Sequence, residues 1–233
     1  MTTLLKTALG AALIATAPMA LLAEDKSGTN AQAVSEAAEQ SAVAKVALAQ
    51  DLFAHAQQTK DAVAALAAAQ IMQSVDAEDV EREKTTEDNP DGVATAGDDG
   101  ADAPADAEMM FAAATEFAGG DPSITGLIED AQAASSRGRI GGASRTLSRL
   151  PAGKIDNFKV PFYGGRLAEI GIAGDGDANL DLVVQDENGN TICLDKTYSD
   201  RIYCSFTPAW DGFFVVAVAN MGSKRNSYYI LTN

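Results

Sequence analysis

From Gly142 to the C-terminus, apolar side chains recur at every second residue, and that period leaves few folds open. "KIDNFKVPF" places Phe158, Val160 and Phe162 on one face, "RLAEIGIAG" places Ile170 and Ile172, and "NLDLVVQD" places Leu180, Leu182 and Val184. Such alternation marks a strand with one face buried. Further runs are "NTICLD", "DRIYCSF", "GFFVVAVAN" and "NSYYILTN". Turn signals separate them at Gly164-Gly165, Gly174 to Gly176, Asn188-Gly189, Pro208 to Gly212 and Asn220 to Gly222. About eight short strands with no helix between them predict an antiparallel, jelly-roll-like β-sandwich over 143–233. Trp210 and the aromatic strands are expected to supply its core.

The N-terminal half follows another pattern, so the fold class is α+β in separate parts. Residues 24–30 read as a free terminus. From 31 to 75 alanine dominates without Pro or Gly, which favours helix. Ala38, Ala42, Val46, Ala49, Phe53 and Ala56 fall at spacings of three and four, an apolar stripe. The polar "QQTKD" (57–61) breaks the run, giving a helical hairpin over 31–75. A second hairpin is predicted over 109–135, where Gly119-Gly120 stops one helix and Asp121-Pro122 starts the next.

Residues 76–108, rich in acids, Gly, Pro, Ala and Thr, offer too little apolar surface to offset ordering entropy, and read as a disordered acidic linker. "SSRGRIGGASRTLSRLPAGK" (135–154) reads as a hinge. The net charge of −16 is unevenly spread. Residues 24–133 hold 23 acids against 5 bases, whereas residues 134–233 hold 10 against 11. That imbalance argues against nucleic acid as a partner of the N-terminal half. The basic run Arg137, Arg139, Arg145, Arg149, Lys154, Lys159 and Arg166 invites an anionic partner, and the nearest is the chain's own acidic linker.

Residues 1–23 have the build of a secretory signal peptide. Lys6 gives the positive end, and "ALGAALIATAPMALLA" is the apolar stretch, with cleavage expected near Ala23. No second apolar run of membrane-spanning length follows, so the predicted location is periplasmic or secreted. In an oxidising compartment the two cysteines, Cys193 and Cys204, are expected to form a disulfide within one hairpin.

The candidate site residues lie in the sandwich. Asn188-Gly189 in "DENGN" predicts a type I′ hairpin turn. In "DGDANLD", Asp175, Asp177, Asn179 and Asp181 stand at alternate positions and, with Asp200, are a candidate calcium set. They do not make an EF-hand, because Leu180 stands where that loop needs glycine. Tyr198, Tyr203 and Phe213 are candidates for an exposed binding surface. No G-x-S-x-G or H-E-x-x-H motif occurs and the only histidine, His55, lies in the alanine-rich helix, so no catalytic constellation and no enzyme is predicted.

These motifs, in this order, resemble the bacterial pre-peptidase C-terminal domain family. The residues that carry the resemblance are "DANLDLVV" with "DENGN", "TPAWDGFFVVAV" and "RNSYYILTN", over about residues 143–233. Asn179 departs from the pattern, standing where the family strand often has a second acid. The resemblance implies an accessory β-sandwich of the kind attached to secreted proteases, serving export, adhesion or substrate binding. Some related modules use calcium. The expected function is therefore an exported non-catalytic protein that binds an extracytoplasmic protein or polysaccharide. The alternative is a calcium-dependent structural or adhesion module.

Overall fold

The computed structural model describes residues 26–32, 41–93, 100–134 and 140–233, with Ile140 and Gly141 described by their backbone alone. The signal peptide expected over 1–23 lies outside the described residues. Four helices precede most of a two-sheet sandwich: α1 (Ala42–Thr59), α2 (Ala62–Gln73), α3 (Ala107–Ala118) and α4 (Pro122–Ala133). Each starts on a side-chain cap. The Ser41 hydroxyl accepts from Ala44 N at 3.0 Å, and Asp61, Asp106 and Asp121 take the first amides of the other three. Lys60 and Gly119 end α1 and α3 in the left-handed region. The predicted helix stop and start at 119–122 fall as expected. The helices share a core of Phe53, Ala56, Ala65, Leu66, Met110, Phe111, Ala114 and Ile128. Alanine at most contact positions brings their backbones close.

Ten strands form the sheets, rather than about eight. They are β1 (Val75–Asp79), β2 (Lys84–Asp88), β3 (Ile140–Leu150), β4 (Lys154–Phe162), β5 (Ala168–Gly174), β6 (Leu180–Gln185), β7 (Thr191–Asp195), β8 (Arg201–Phe206), β9 (Gly212–Asn220) and β10 (Asn226–Thr232). One sheet runs β1-β3-β10-β5-β8, the other β2-β4-β9-β6-β7. All pairings are antiparallel except that of β1 with β3, which is parallel. The inward residues predicted from the period-two pattern, including Phe158, Val160, Ile170, Ile172, Leu180, Leu182 and Val184, form the core between the sheets. Trp210 does not join them. It stands half-buried in the bend before β9, with its indole N–H on Glu187 Oε1 at 2.6 Å.

The two extra strands come from the stretch expected to be a disordered linker, and β3 runs through the expected hinge. What orders the linker is polar pairing rather than apolar burial. Asp156 on β4 faces the core and is fully buried. Both of its oxygens accept from Lys84 Nζ of β2 at 2.8 Å, and Ser148 and Tyr228 donate to Oδ2 at 2.6 and 2.9 Å. Between β1 and β2, Arg82 reaches Thr146 Oγ1 at 2.6 Å, Ser144 Oγ at 2.7 Å and Thr232 Oγ1 at 2.9 Å. The crossover therefore fills the open side of the sandwich with two cations, set against a row of hydroxyls on β3. Farther out, Asp79 meets Arg145 at 2.7 Å, Asp88 meets Lys154, and Asp102 lies 3.9 Å from Arg149. Among the described residues, acids of the stretch thus pair with Arg145, Arg149 and Lys154 of the basic run, whereas Arg137 and Arg139 lie outside the described residues. These exposed pairs orient the chain more than they stabilise it.

The helices dock on the outer face of the β1-β3-β10-β5-β8 sheet through α1. Val43 and Val46 pack on Ala143, Ala173 and Leu231. Gly171 permits the approach, because a Cβ there would stand 2.9 Å from Val43 Cγ1. Glu169, buried beneath the start of α1, accepts from the Ser41 and Tyr203 hydroxyls at 2.5 Å each. Its charge also lies at the electropositive end of the helix. Burial and the bond to Glu169 push the Tyr203 phenol up to about 12.

Cys193 and Cys204 are disulfide-bonded, with Cα atoms 6.4 Å apart. The bridge is not internal to a hairpin. It joins β7 at the edge of one sheet to β8 at the edge of the other, so it clips the sandwich on the side opposite the Arg82–Lys84 crossover. Reduction is expected to lower unfolding free energy by about 3 kcal/mol, the chain-entropy value for so short a loop, as read by urea denaturation. Lys84→Met leaves Asp156 buried without its cation, and is expected to cost about 3 kcal/mol in the same assay.

Candidate functional site

A concavity of about 510 Å³ lies between the helices and the sheet they cover. Apolar lining comes from Val46 of α1, Met72 of α2, Phe111 of α3 and Leu231 of β10. Polar lining comes from the amides Gln50, Gln73 and Gln132, the acids Asp76, Asp106 and Glu108, and from Arg145 and Tyr229. Gln50 is 5 % exposed, and its Nε2 is tied to the Ala105 carbonyl at 2.8 Å. Asp106 is the cap of α3, accepting from Met109 N at 2.9 Å. Arg145 lies 4.8 Å from the centre of the Tyr229 ring. The hydrogen bond to Asp79 raises the Arg145 guanidinium above its usual range, and the same bond holds the Asp79 carboxyl below its own. Arg145 and the Gln50 amide nitrogen are thus committed within the chain and Phe111 is buried, whereas Gln73, Gln132 and Glu108 stand at least partly exposed along the lining. Nothing in the alanine-rich helices or the acidic stretch taken singly marks this cavity, because it forms only where the two meet.

The residues expected as a calcium set serve as acceptors for the chain itself. Asp175 takes Ser227 N at 2.7 Å and Asp177 N at 3.0 Å, and Asp177 takes Ala101 N at 2.7 Å. Asp200 takes Gly176 N at 2.6 Å and Asn226 Nδ2 at 3.0 Å on one oxygen, and Arg201 at 2.7 Å on the other. Asp181 accepts from Asn179 Nδ2 at 3.2 Å. Burial raises the Asp175 carboxyl above its usual range, helped by Asp177 and Asp200, and burial likewise raises Asp181. The Asn179 and Asn226 carboxamide oxygens are buried without a hydrogen-bond partner among the described residues. Among those residues, no three or more His, Cys, Asp or Glu converge into a group able to hold a metal ion.

The three candidate surface aromatics do not share a surface. Tyr198 projects from the β7–β8 connection, 96 % exposed. Tyr203 lies under α1, bonded to Glu169. Phe213 is on β9, in the opposite sheet, with Lys159 Nζ 3.7 Å from its ring centre. His55 is exposed on α1 and does not line the cavity. Among the described residues, no helix is long and apolar enough to cross a membrane.

"DENGN" makes the hairpin turn it predicts, with a different geometry. Among the described residues, Lys60 alone of the non-glycines has positive φ, so only Gly189 (φ 82°) takes that region and the turn is not type I′. Asp186 organises the loop instead. Its Oδ1 accepts from Asn188 N at 3.0 Å and Asn190 N at 2.8 Å, and its Oδ2 accepts from Asn30 N at 2.8 Å.

No family model and no curated protein matches the chain. Among solved structures, it is similar to the pre-peptidase C-terminal domain of a collagenase from Bacillus anthracis. The two are 8% identical, over 67% of this chain and 95% of that one, with a TM-score of 0.27. A likeness of that size carries no argument about function.

Burial raises the Asp186 carboxyl, but the N–H bonds from Asn30, Asn190 and Asn188 outweigh it and hold the group below its usual range. A depressed folded-state value gives stability that is present above the unfolded value, near 4, and lost as pH falls through the folded one. Asp186→Asn is therefore expected to flatten the loss of stability below about pH 4, measured by urea denaturation across pH.

Proposed function

We propose that this chain is an exported, non-catalytic binding protein. Its β-sandwich, similar to pre-peptidase C-terminal domains, carries a helical cap, and the cavity between the two takes a saccharide segment of an extracytoplasmic polysaccharide. The observation that carries the reading is the cavity of about 510 Å³ with its mixed lining, a size suited to a small ligand or a few sugar rings. Sugar hydroxyls pair with the Gln73 and Gln132 amides and the Glu108 carboxylate, while sugar C–H faces lie against the partly exposed Met72. The ordered motifs in β6, the β6–β7 turn, β9 and β10 support the family resemblance. The disulfide fits an oxidising compartment, and the segment before Lys26 has the pattern of an export signal.

Thermal unfolding in the presence of soluble oligosaccharide fragments of cell-surface polymers tests the reading. A ligand at 100 times its Kd adds about 2.7 kcal/mol to the native state, so the midpoint is expected to rise. Ala77→Trp, which fills the cavity from β1, is expected to abolish that rise. No rise with any fragment, or a rise that survives Ala77→Trp, would count against the saccharide reading. Millimolar calcium alone is expected to leave the midpoint unchanged. An increase would favour the calcium-dependent structural module instead.

A further inference from the structure

Far from the cavity, the sandwich holds a second recognition site, filled by the chain's own N-terminal segment. Residues 26–32 are docked rather than free, lying across the β6–β7 turn and the bend before β9. Lys26, Ser27, Gly28 and Thr29 are exposed, whereas Asn30 is fully buried. The Asn30 backbone N–H donates to Asp186 Oδ2 at 2.8 Å. Its Nδ2 donates to Glu187 Oε2 and to the Trp210 carbonyl, both at 3.2 Å. Its Oδ1 accepts from the backbone N–H of Ala209 at 2.8 Å and of Trp210 at 3.0 Å.

The flanking residues are held mostly by their main chain, with Lys26 Nζ donating to the Asp211 carbonyl at 3.0 Å as well. Asn188 Nδ2 donates to the Lys26 and Gly28 carbonyls at 2.8 and 2.9 Å, and Asn190 Nδ2 donates to the Gly28 carbonyl at 2.8 Å. Gln32 N donates to the Thr207 carbonyl at 2.8 Å. The room for Asn30 depends on Gly212, where a Cβ would stand 2.7 Å from both Asn30 Nδ2 and Glu187 Oε1.

We propose that this is a peptide-binding site, specific for an extended segment bearing one asparagine, and that residues 26–32 are its tethered occupant. Two backbone N–H groups face the carboxamide oxygen, while a carboxylate and a carbonyl face its nitrogen. That arrangement selects Asn over Asp, whose carboxylate would meet Glu187, and over Ala, which would leave the buried donors unpaired. The main-chain contacts on either side are indifferent to sequence, and the flanking side-chain bond from Lys26 to the Asp211 carbonyl asks only for a cation at that end. Tethering gives the occupant a high effective concentration, so a free peptide competes only when the tether is cut or the asparagine is lost.

The test uses the full chain with a protease recognition sequence placed within residues 33–40. After cleavage, a fluorescein-labelled peptide spanning residues 26–32 is expected to bind saturably and to displace the native segment. The same peptide with Asn30→Ala or Asn30→Asp is expected to bind at least 10-fold more weakly, and the uncut chain is expected not to bind. If cleavage unfolds the protein, the uncut chain carrying Asn30→Ala takes its place against the labelled peptide. No saturable binding up to millimolar peptide, equal binding of the substituted peptides, or equal binding by the unsubstituted uncut chain would overturn the proposal. None of these outcomes depends on whether the cavity binds a saccharide.

Discussion

The buried carboxylate of Asp156 is the point on which the architecture turns. A charge placed between two sheets must be matched where it stands, because removing it from water costs several kcal/mol. Ser148 and Tyr228 supply hydroxyls from the facing sheet, but the cation comes from Lys84, in a stretch with almost no apolar residues of its own. This need holds β2 on β4. With β2 fixed, the crossover through Arg82 and the parallel pairing of β1 with β3 follow, and β1 in turn leads back to α2. A single ionic requirement in the core thus draws the acidic stretch into the fold and sets one wall of the cavity.

A second buried carboxylate works on the other face. Glu169 sits at the start of α1 and ties the Ser41 cap to Tyr203, so one side chain joins a helix terminus to two strands. In both places a buried acid is matched from a different part of the chain, which makes the helical and β parts one packed unit rather than two beads on a string. The cavity belongs to that unit.

Much of the sandwich was legible in the sequence because its signal is periodic. The alternation of Phe158, Val160, Ile170, Ile172, Leu180, Leu182 and Val184 placed these side chains in the core, and the cap at Asp121 announced α4. The acidic stretch was misjudged because the criterion applied to it counted only apolar burial. Lys84 and Arg82 become ordered by meeting Asp156, Ser144 and Thr146, more than sixty residues away, and no local pattern records that meeting. Asn30 gave no signal either, since one asparagine in a polar terminus has no periodicity. The acids of "DGDANLD" were ambiguous for a related reason. Alternating carboxylates suit a cation, and equally suit the amides of passing segments such as Ala101 and Ser227, which is the use found here.

The charge carried by β1 and β2 has a further effect on how copies of the molecule meet. These two strands form the unsheathed margins of both sheets on one side, and all of β2, with Glu78 and Asp79 of β1, is exposed. Bare margins of this kind invite neighbouring molecules to add on, one ribbon after another, into fibrils. A neighbour approaching here would have to set its own carboxylates about 5 Å from Glu78, Asp79, Glu87 and Asp88. Like charge along these margins therefore opposes such addition.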